Sequence, residues 1–89
     1  MAQPLVLIRS NYNLLSSQQK QLADFIMGHQ DDAAAMGIEE LSQQCQLSKT
    51  TVLRFLRKLG YESYRVFLMD LIKEIASSTS ARDSVLPAG

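Results

Sequence analysis

The sequence predicts an all-α chain, a compact bundle of about five helices, and three observations carry that prediction. Apolar residues recur at three- and four-residue spacing along most of the chain, the pattern of a helix with one buried face. No stretch alternates apolar and polar residues over five or six positions with β-branched enrichment, as a half-buried strand would. Only four of 89 residues are Gly and two are Pro, with 46% hydrophobic and 20% charged, a composition that favours a folded globule over a disordered chain. This length accommodates one small domain and no second compact unit beside it.

The elements follow in order. Leu5, Ile8, Tyr12 and Leu15 mark a first helix, and Pro4 fits its first turn because a proline there removes no needed donor. Ser16 with Gln19 three residues on is a capping box, which opens a second helix. Leu22, Ala23, Phe25 and Ile26 form its apolar stripe, and it should fade at Gly28. HQDDAAAM is a connection with room for one helical turn, and its Asp31 and Asp32 suit a helix N-terminus. Ile38, Leu41 and Cys45 share a face of a helix of about two turns, with Glu39 and Glu40 in its first turn. Gln46 and Leu47 make a break before Ser48, a strong N-cap. In the next helix Val52, Phe55, Leu56 and Leu59 stand at i, i+3, i+4 and i+7 and face the core, and Gly60 ends it. Ser63 caps a last helix whose stripe is Tyr64, Phe67, Leu68, Leu71, Ile72 and Ile75. The domain therefore spans residues 1–77. SSTSARDSVLPAG has no periodicity, so residues 78–89 are expected to be a flexible tail or interdomain linker.

Several function classes find no support in this pattern. No apolar run approaches the roughly 20 residues of a membrane span. MAQPLVLIR has no basic region ahead of its apolar residues, so secretion is not expected, and a single cysteine, Cys45, fits a reducing cytoplasm. Cys45 has no His or second Cys at ligand spacing and reads as core. His29, near a helix C-terminus, reads as a partner of the helix dipole rather than a base or ligand. Asp31 and Asp32 are adjacent and point to different sides of a helix, so capping suits them better than paired acid–base work. Met27, Met36 and Met69 read as fillers of a small core. No nucleophile and base pair, metal set, phosphate loop or cofactor motif is present, so no enzyme and no cofactor are expected.

Charge is where the sequence points outward. The formal net charge is zero and the pI is near 6.5, which by themselves give no hint of nucleic acid. Residues 1–48 hold Arg9 and Lys20 against five acids, a balance of −3, whereas residues 49–65 hold Lys49, Arg54, Arg57, Lys58 and Arg65 against Glu62 alone, a balance of +4. Residues 66–89 return to −1, with two cations against three acids. With Val52 and Leu59 at the centre of the buried face, Thr50, Arg54 and Arg57 lie opposite, flanked by Thr51, Leu53 and Lys58. Arginine donates bidentately to guanine, threonine reaches a phosphate or a thymine methyl, and a helix N-terminus favours a phosphate. Leu53 can meet a thymine methyl or pack at the edge. The short helix before Ser48 and the tight break give the geometry of a helix-turn-helix, whose second helix enters the major groove. Ser42 is small where the two helices approach, and Gln46 occupies a turn site that commonly needs positive φ, at about 1 kcal/mol relative to glycine.

The run from Leu14 to Ala76 resembles the N-terminal DNA-binding domain of the RpiR-type bacterial transcriptional regulators. The resemblance rests on LSSQQKQLADFI, on IEEL, and on LSKTTVLRFLRKLGY, which is similar to the family's S, two variable, T, V, variable, R, F, variable, R, K, L, G, aromatic. Gln30 stands where that pattern often has proline, Gly37 where it has a Ser or Thr cap, and Gln46 where it has glycine. These departures touch caps and turns rather than the outer face. The resemblance implies a wing-free, homeodomain-like helix-turn-helix that reads double-stranded operator DNA. Ser48, Lys49, Thr50, Thr51 and Arg54 then belong at the groove, with Arg57 and Lys58 on phosphates. It also implies a regulator of sugar or carbohydrate-derivative metabolism, in which a sugar isomerase domain senses a phosphorylated sugar or related metabolite. The 13 residues after Ala76 are too few for that domain, so a fragment ending in the linker is the favoured reading over a stand-alone protein.

A second surface is suggested by the first helix. Leu5, Val6, Leu7, Ile8, Tyr12, Leu14 and Leu15 are more apolar than one face requires, so a homodimer through this helix, with the last helix beside it, is expected; otherwise the helix closes the core. The rival function class is a protein-interaction module that uses the basic face or the first helix to hold an acidic partner.

Overall fold

The computed structural model describes the backbone of residues 3–85 and the side chains of residues 3–77. Among the described residues there are six α-helices and no strand: α1 Pro4–Asn11, α2 Ser17–Gly28, α3 Gln30–Ala34, α4 Ile38–Gln44, α5 Lys49–Lys58 and α6 Tyr64–Val85. A 3-10 turn over Tyr12–Leu14 joins α1 to α2.

Helix ends are set by the residues the sequence marks. Pro4 stands in the first turn of α1. Ser16 Oγ accepts from the Gln19 N–H at 3.2 Å while Gln19 Oε1 accepts from the Ser16 N–H at 3.0 Å, so both arms of the capping box are made. Ser48 Oγ accepts from the Thr51 N–H at 3.1 Å, and Ser63 Oγ from the Val66 N–H at 3.2 Å. Gly37 caps α4 with no side chain to offer, and Glu39 and Glu40 in the first turn offset the dipole there instead.

Both ends that frame the helix-turn-helix close in the same way. At the end of α5 the Gly60 N–H donates to Arg57 O at 2.9 Å and the Tyr61 N–H to Leu56 O at 2.9 Å, with Gly60 at φ 95°. At the end of α4 the Gln46 N–H donates to Gln43 O at 3.1 Å and the Leu47 N–H to Ser42 O at 2.8 Å, with Gln46 at φ 57°. Each is a Schellman motif whose left-handed residue reverses the chain and satisfies two orphan carbonyls. Gln46 therefore adopts the conformation the turn demands, despite its Cβ.

The core lies around α5, which packs against α4, α2 and α6, with α1 and α3 also against α6. Ile8, Leu22, Ile26, Leu41, Val52, Phe55, Leu56, Phe67 and Leu71 are buried in it. Tyr61 meets Phe67 edge-on with ring centroids 5.6 Å apart, and its hydroxyl donates to Asp70 Oδ2 at 2.8 Å. The Tyr64 hydroxyl donates to Met36 O at 2.7 Å, tying α6 to the end of the α3 turn. The Leu5 N–H, an orphan donor at the start of α1, donates to Glu74 Oε1 of α6 at 2.8 Å, which joins the two ends of the domain.

Three expectations are corrected. The first helix stops at Asn11 rather than reaching Leu15, because Ser16 must be extended to cap α2 and Leu15 already is, at φ −82° and ψ 146°. Met69 is 51% exposed and fills no core gap, and Ile72, placed in the buried stripe, is 48% exposed: neither α1 nor α3 covers that side of α6. The backbone is helical from 78 to Val85, a stretch without an apolar stripe, and 86–89 of the expected tail or linker lie outside the described residues.

Candidate nucleic-acid interface

Burial of one face of α5 fixes what the other presents. Val52, Phe55, Leu56 and Leu59 are buried, whereas Thr50, Arg54, Arg57 and Lys58 are exposed and Thr51 and Leu53 half-buried. Leu53 packs against the core cluster at the edge of the face. Ser42 is buried where α4 meets α5, and its hydroxyl donates to Glu39 O at 2.8 Å.

The seven residues marked by the sequence fall on one helix and its cap, but their polar groups are differently committed. Ser48 and Thr51 serve the helix start: besides the cap, their hydroxyl oxygens lie 3.0 Å apart in a hydrogen bond. Lys49 Nζ donates to Glu39 Oε1 at 2.8 Å, across from α5 to α4. Lys58 Nζ donates to Leu14 O at 2.8 Å and to the capping-box oxygen Gln19 Oε1 at 3.2 Å, which fastens the end of α5 to the start of α2. Among the described residues Lys49–Glu39 is the one Lys or Arg pair with a carboxylate, and His29 Nδ1 lies 3.9 Å from Asp32 Oδ2, so Arg54 and Arg57 are held by no carboxylate there.

Electrostatics reinforce that division. Arg57 and Lys58 in the last turn of α5 suit the negative end of the helix dipole. Lys49 in the first turn does not, and its hydrogen bond and charge hold the Glu39 carboxyl below the usual carboxylate range. Sequence reasoning missed both tethers. Lys58 and Leu14 are 44 residues apart and Lys49 and Glu39 ten, so no helical spacing announces either.

Elsewhere the site offers little chemistry. Cys45 is buried and burial pushes its thiol up, which disfavours the thiolate. His29 caps the end of α2 and tilts against Phe25 at 5.0 Å between ring centroids. No group of three His, Cys, Asp or Glu among the described residues is arranged for a metal ion. No helix among them is long and apolar enough to cross a membrane.

Comparison with known proteins decides the family. The model of the helix-turn-helix domain of the rpiR family matches residues 2–78. The chain belongs to the rpiR family. Curated relatives agree with this rpiR-family domain. It is 28% identical over 79 residues to an uncharacterised HTH-type transcriptional regulator of Haemophilus influenzae, covering 89% of this chain and 27% of that protein. It is 30% identical over 73 residues to the uncharacterised HTH-type transcriptional regulator YfhH of Escherichia coli K12, covering 82% and 26%. With the HTH-type transcriptional regulator GlvR of Bacillus subtilis 168 it shares 32% identity over 65 residues, covering 70% and 26%. The chain spans about a quarter of the length of these relatives. No solved structure matches it. An rpiR-family helix-turn-helix binds DNA in transcription regulation, and the match does not favour a protein-interaction module.

Proposed function

We propose that this domain reads operator DNA for a bacterial transcriptional regulator of sugar or carbohydrate-derivative metabolism, acting in the cytoplasm with no catalytic step of its own. The observation that supports the reading most directly is the outer face of α5, where Thr50, Arg54 and Arg57 stand exposed behind a helix start capped by Ser48. In this reading α5 lies in the major groove and α4 crosses the backbone. Thr50 and Arg54 meet base edges, Ser48 and Thr51 hold the helix start against a phosphate, and Lys49, Arg57 and Lys58 contact phosphates. Lys58 reaches its phosphate from its seat beside Leu14 and Gln19.

Two copies form the working unit, presenting two α5 helices to half-sites about one turn of DNA, roughly 34 Å, apart. The apolar residues of the first helix divide here: Leu5, Ile8 and Leu15 are buried within the chain, while Val6 and Leu14 are exposed, as are Val66, Met69 and Ile72 of α6. Those exposed residues support a contact through α1 and α6. A phosphorylated sugar acts as effector through a separate sensor domain, with residues 78–89 as the link to it.

Fluorescence anisotropy with genomic duplex fragments, titrated at several salt concentrations, tests the reading. Arg54→Ala is expected to cost about 1 to 3 kcal/mol and to relax sequence preference, whereas Lys58→Ala weakens all sequences alike and reduces the salt slope by about one. Equal loss on every fragment for Arg54→Ala would remove the base-reading role.

A further inference from the structure

Lys49 is placed against local electrostatics. It occupies the first position of α5, where the positive end of the helix dipole disfavours a cation and favours an anion. The anion that meets it is Glu39 of α4, at 2.8 Å, with both side chains more than half exposed. Glu39 is held in that position from the other side: its backbone carbonyl accepts the hydroxyl of buried Ser42, and α4 is locked to α5 through the Gln46 turn. Its carboxylate lies beside the capped start of the helix that carries the DNA-facing residues. That is where a helix start receives a phosphate.

We infer that Glu39 is a built-in competitor of DNA phosphate for Lys49, a residue that lowers affinity for duplex of any sequence and so leaves attachment to depend on base contacts. The inference rests on the DNA-reading face proposed above. When Lys49 turns to a phosphate, its ion pair is lost and the Glu39 carboxylate is left beside a polyanion. The cation given up by the DNA is then taken back by Glu39, and the exchange releases no net counterion. Glu40, one residue on, is also exposed, but its side chain is in no ion pair among the described residues, which makes it the control for a simple change of net charge.

The experiment measures binding of the chain to a mixed-sequence duplex of about two helical turns, from low to physiological salt, for wild type, Glu39→Gln, Glu40→Gln, Lys49→Ala and the double variant Glu39→Gln/Lys49→Ala. Circular dichroism melts of each verify that it is folded. Glu39→Gln is expected to bind several-fold more tightly than wild type, with a log–log salt slope steeper by about 0.9, one phosphate contact. Glu40→Gln should gain clearly less and keep the wild-type slope. In the Lys49→Ala background the Glu39→Gln gain should vanish. Equal gains for the two glutamines, or a gain that survives Lys49→Ala, would overturn the competitor role and leave only general repulsion. If wild type binds duplex and Glu39→Gln changes nothing, this inference fails while the DNA-reading proposal stands. If no folded variant binds at any salt, both fall.

Discussion

Gln46 shows how much one residue costs the turn. Its φ of 57° completes the Schellman motif between α4 and α5, a conformation that strains a residue with a Cβ. Gln46→Gly is therefore expected to raise the free energy of unfolding by about 1 kcal/mol, read as a higher urea midpoint with unchanged slope. The gain should leave DNA affinity where it was, since the backbone already holds the geometry glycine prefers. A lower midpoint would mean that the greater freedom of glycine in the unfolded chain outweighs the relieved strain. Two tyrosines couple stability to pH. Burial, then the hydrogen bond to Asp70, raises the Tyr61 hydroxyl well above its ordinary value, and burial with Glu40 nearby leaves Tyr64 pushed up to about 12. Both are acids whose neutral form the fold prefers. Their contribution is whole below about pH 10, the unfolded value, and is lost as pH rises from there through the folded values. Urea midpoints between about pH 9 and 12 should fall less for Tyr64→Phe than for wild type.

At the scale of the element, α5 depends on a cap that also lies at the proposed groove. Ser48 Oγ satisfies the Thr51 N–H, and Ser48→Ala should cost about 1 kcal/mol of stability. Ser48→Asp keeps an acceptor at the N-cap and suits the dipole, so thermal melts should stay near wild type. Its added carboxylate faces the phosphates in the proposed complex, so duplex affinity should drop by about tenfold or more. The two variants thus separate helix stability from DNA contact, and a Ser48→Asp variant that binds like wild type would move the groove away from this end of α5. Caps, stripes and the Gly60 stop were all legible in the sequence because each depends on residues within four positions of one another. Glu39–Lys49 and Lys58–Leu14 were not, since each joins two elements whose approach is set by packing.

At the scale of the whole molecule, the long helix α6 is the floor against which α1, α3 and α5 pack. Phe67 and Leu71 bind it to the core, and Glu74 receives the Leu5 N–H from the opposite end of the domain. Phe67→Ala is expected to destabilise by about 3 to 5 kcal/mol, a large part of the stability of so small a domain, and urea unfolding measures it directly. A loss under about 1 kcal/mol would show that α6 is held mainly by its polar ties. Exposed Val66, Met69 and Ile72 show that the apolar sector of α6 is wider than its own domain covers, which periodicity alone could not reveal. The stripe told which residues are apolar; only the positions of α1 and α3 told which of them stay wet.

What the sequence by itself determined is the all-α class, the helix starts at Ser16, Ser48 and Ser63, the left-handed turn at Gln46 and the cationic outer face of α5. These follow from short-range rules: 3.6-residue periodicity, reciprocal caps, and the steric demands of a chain reversal. Tertiary structure alone decided where the first helix stops, which face of α6 remains bare, and which cations are already engaged. Those outcomes depend on contacts between residues far apart in the chain, where close packing chooses the partner and sequence spacing carries no record of it.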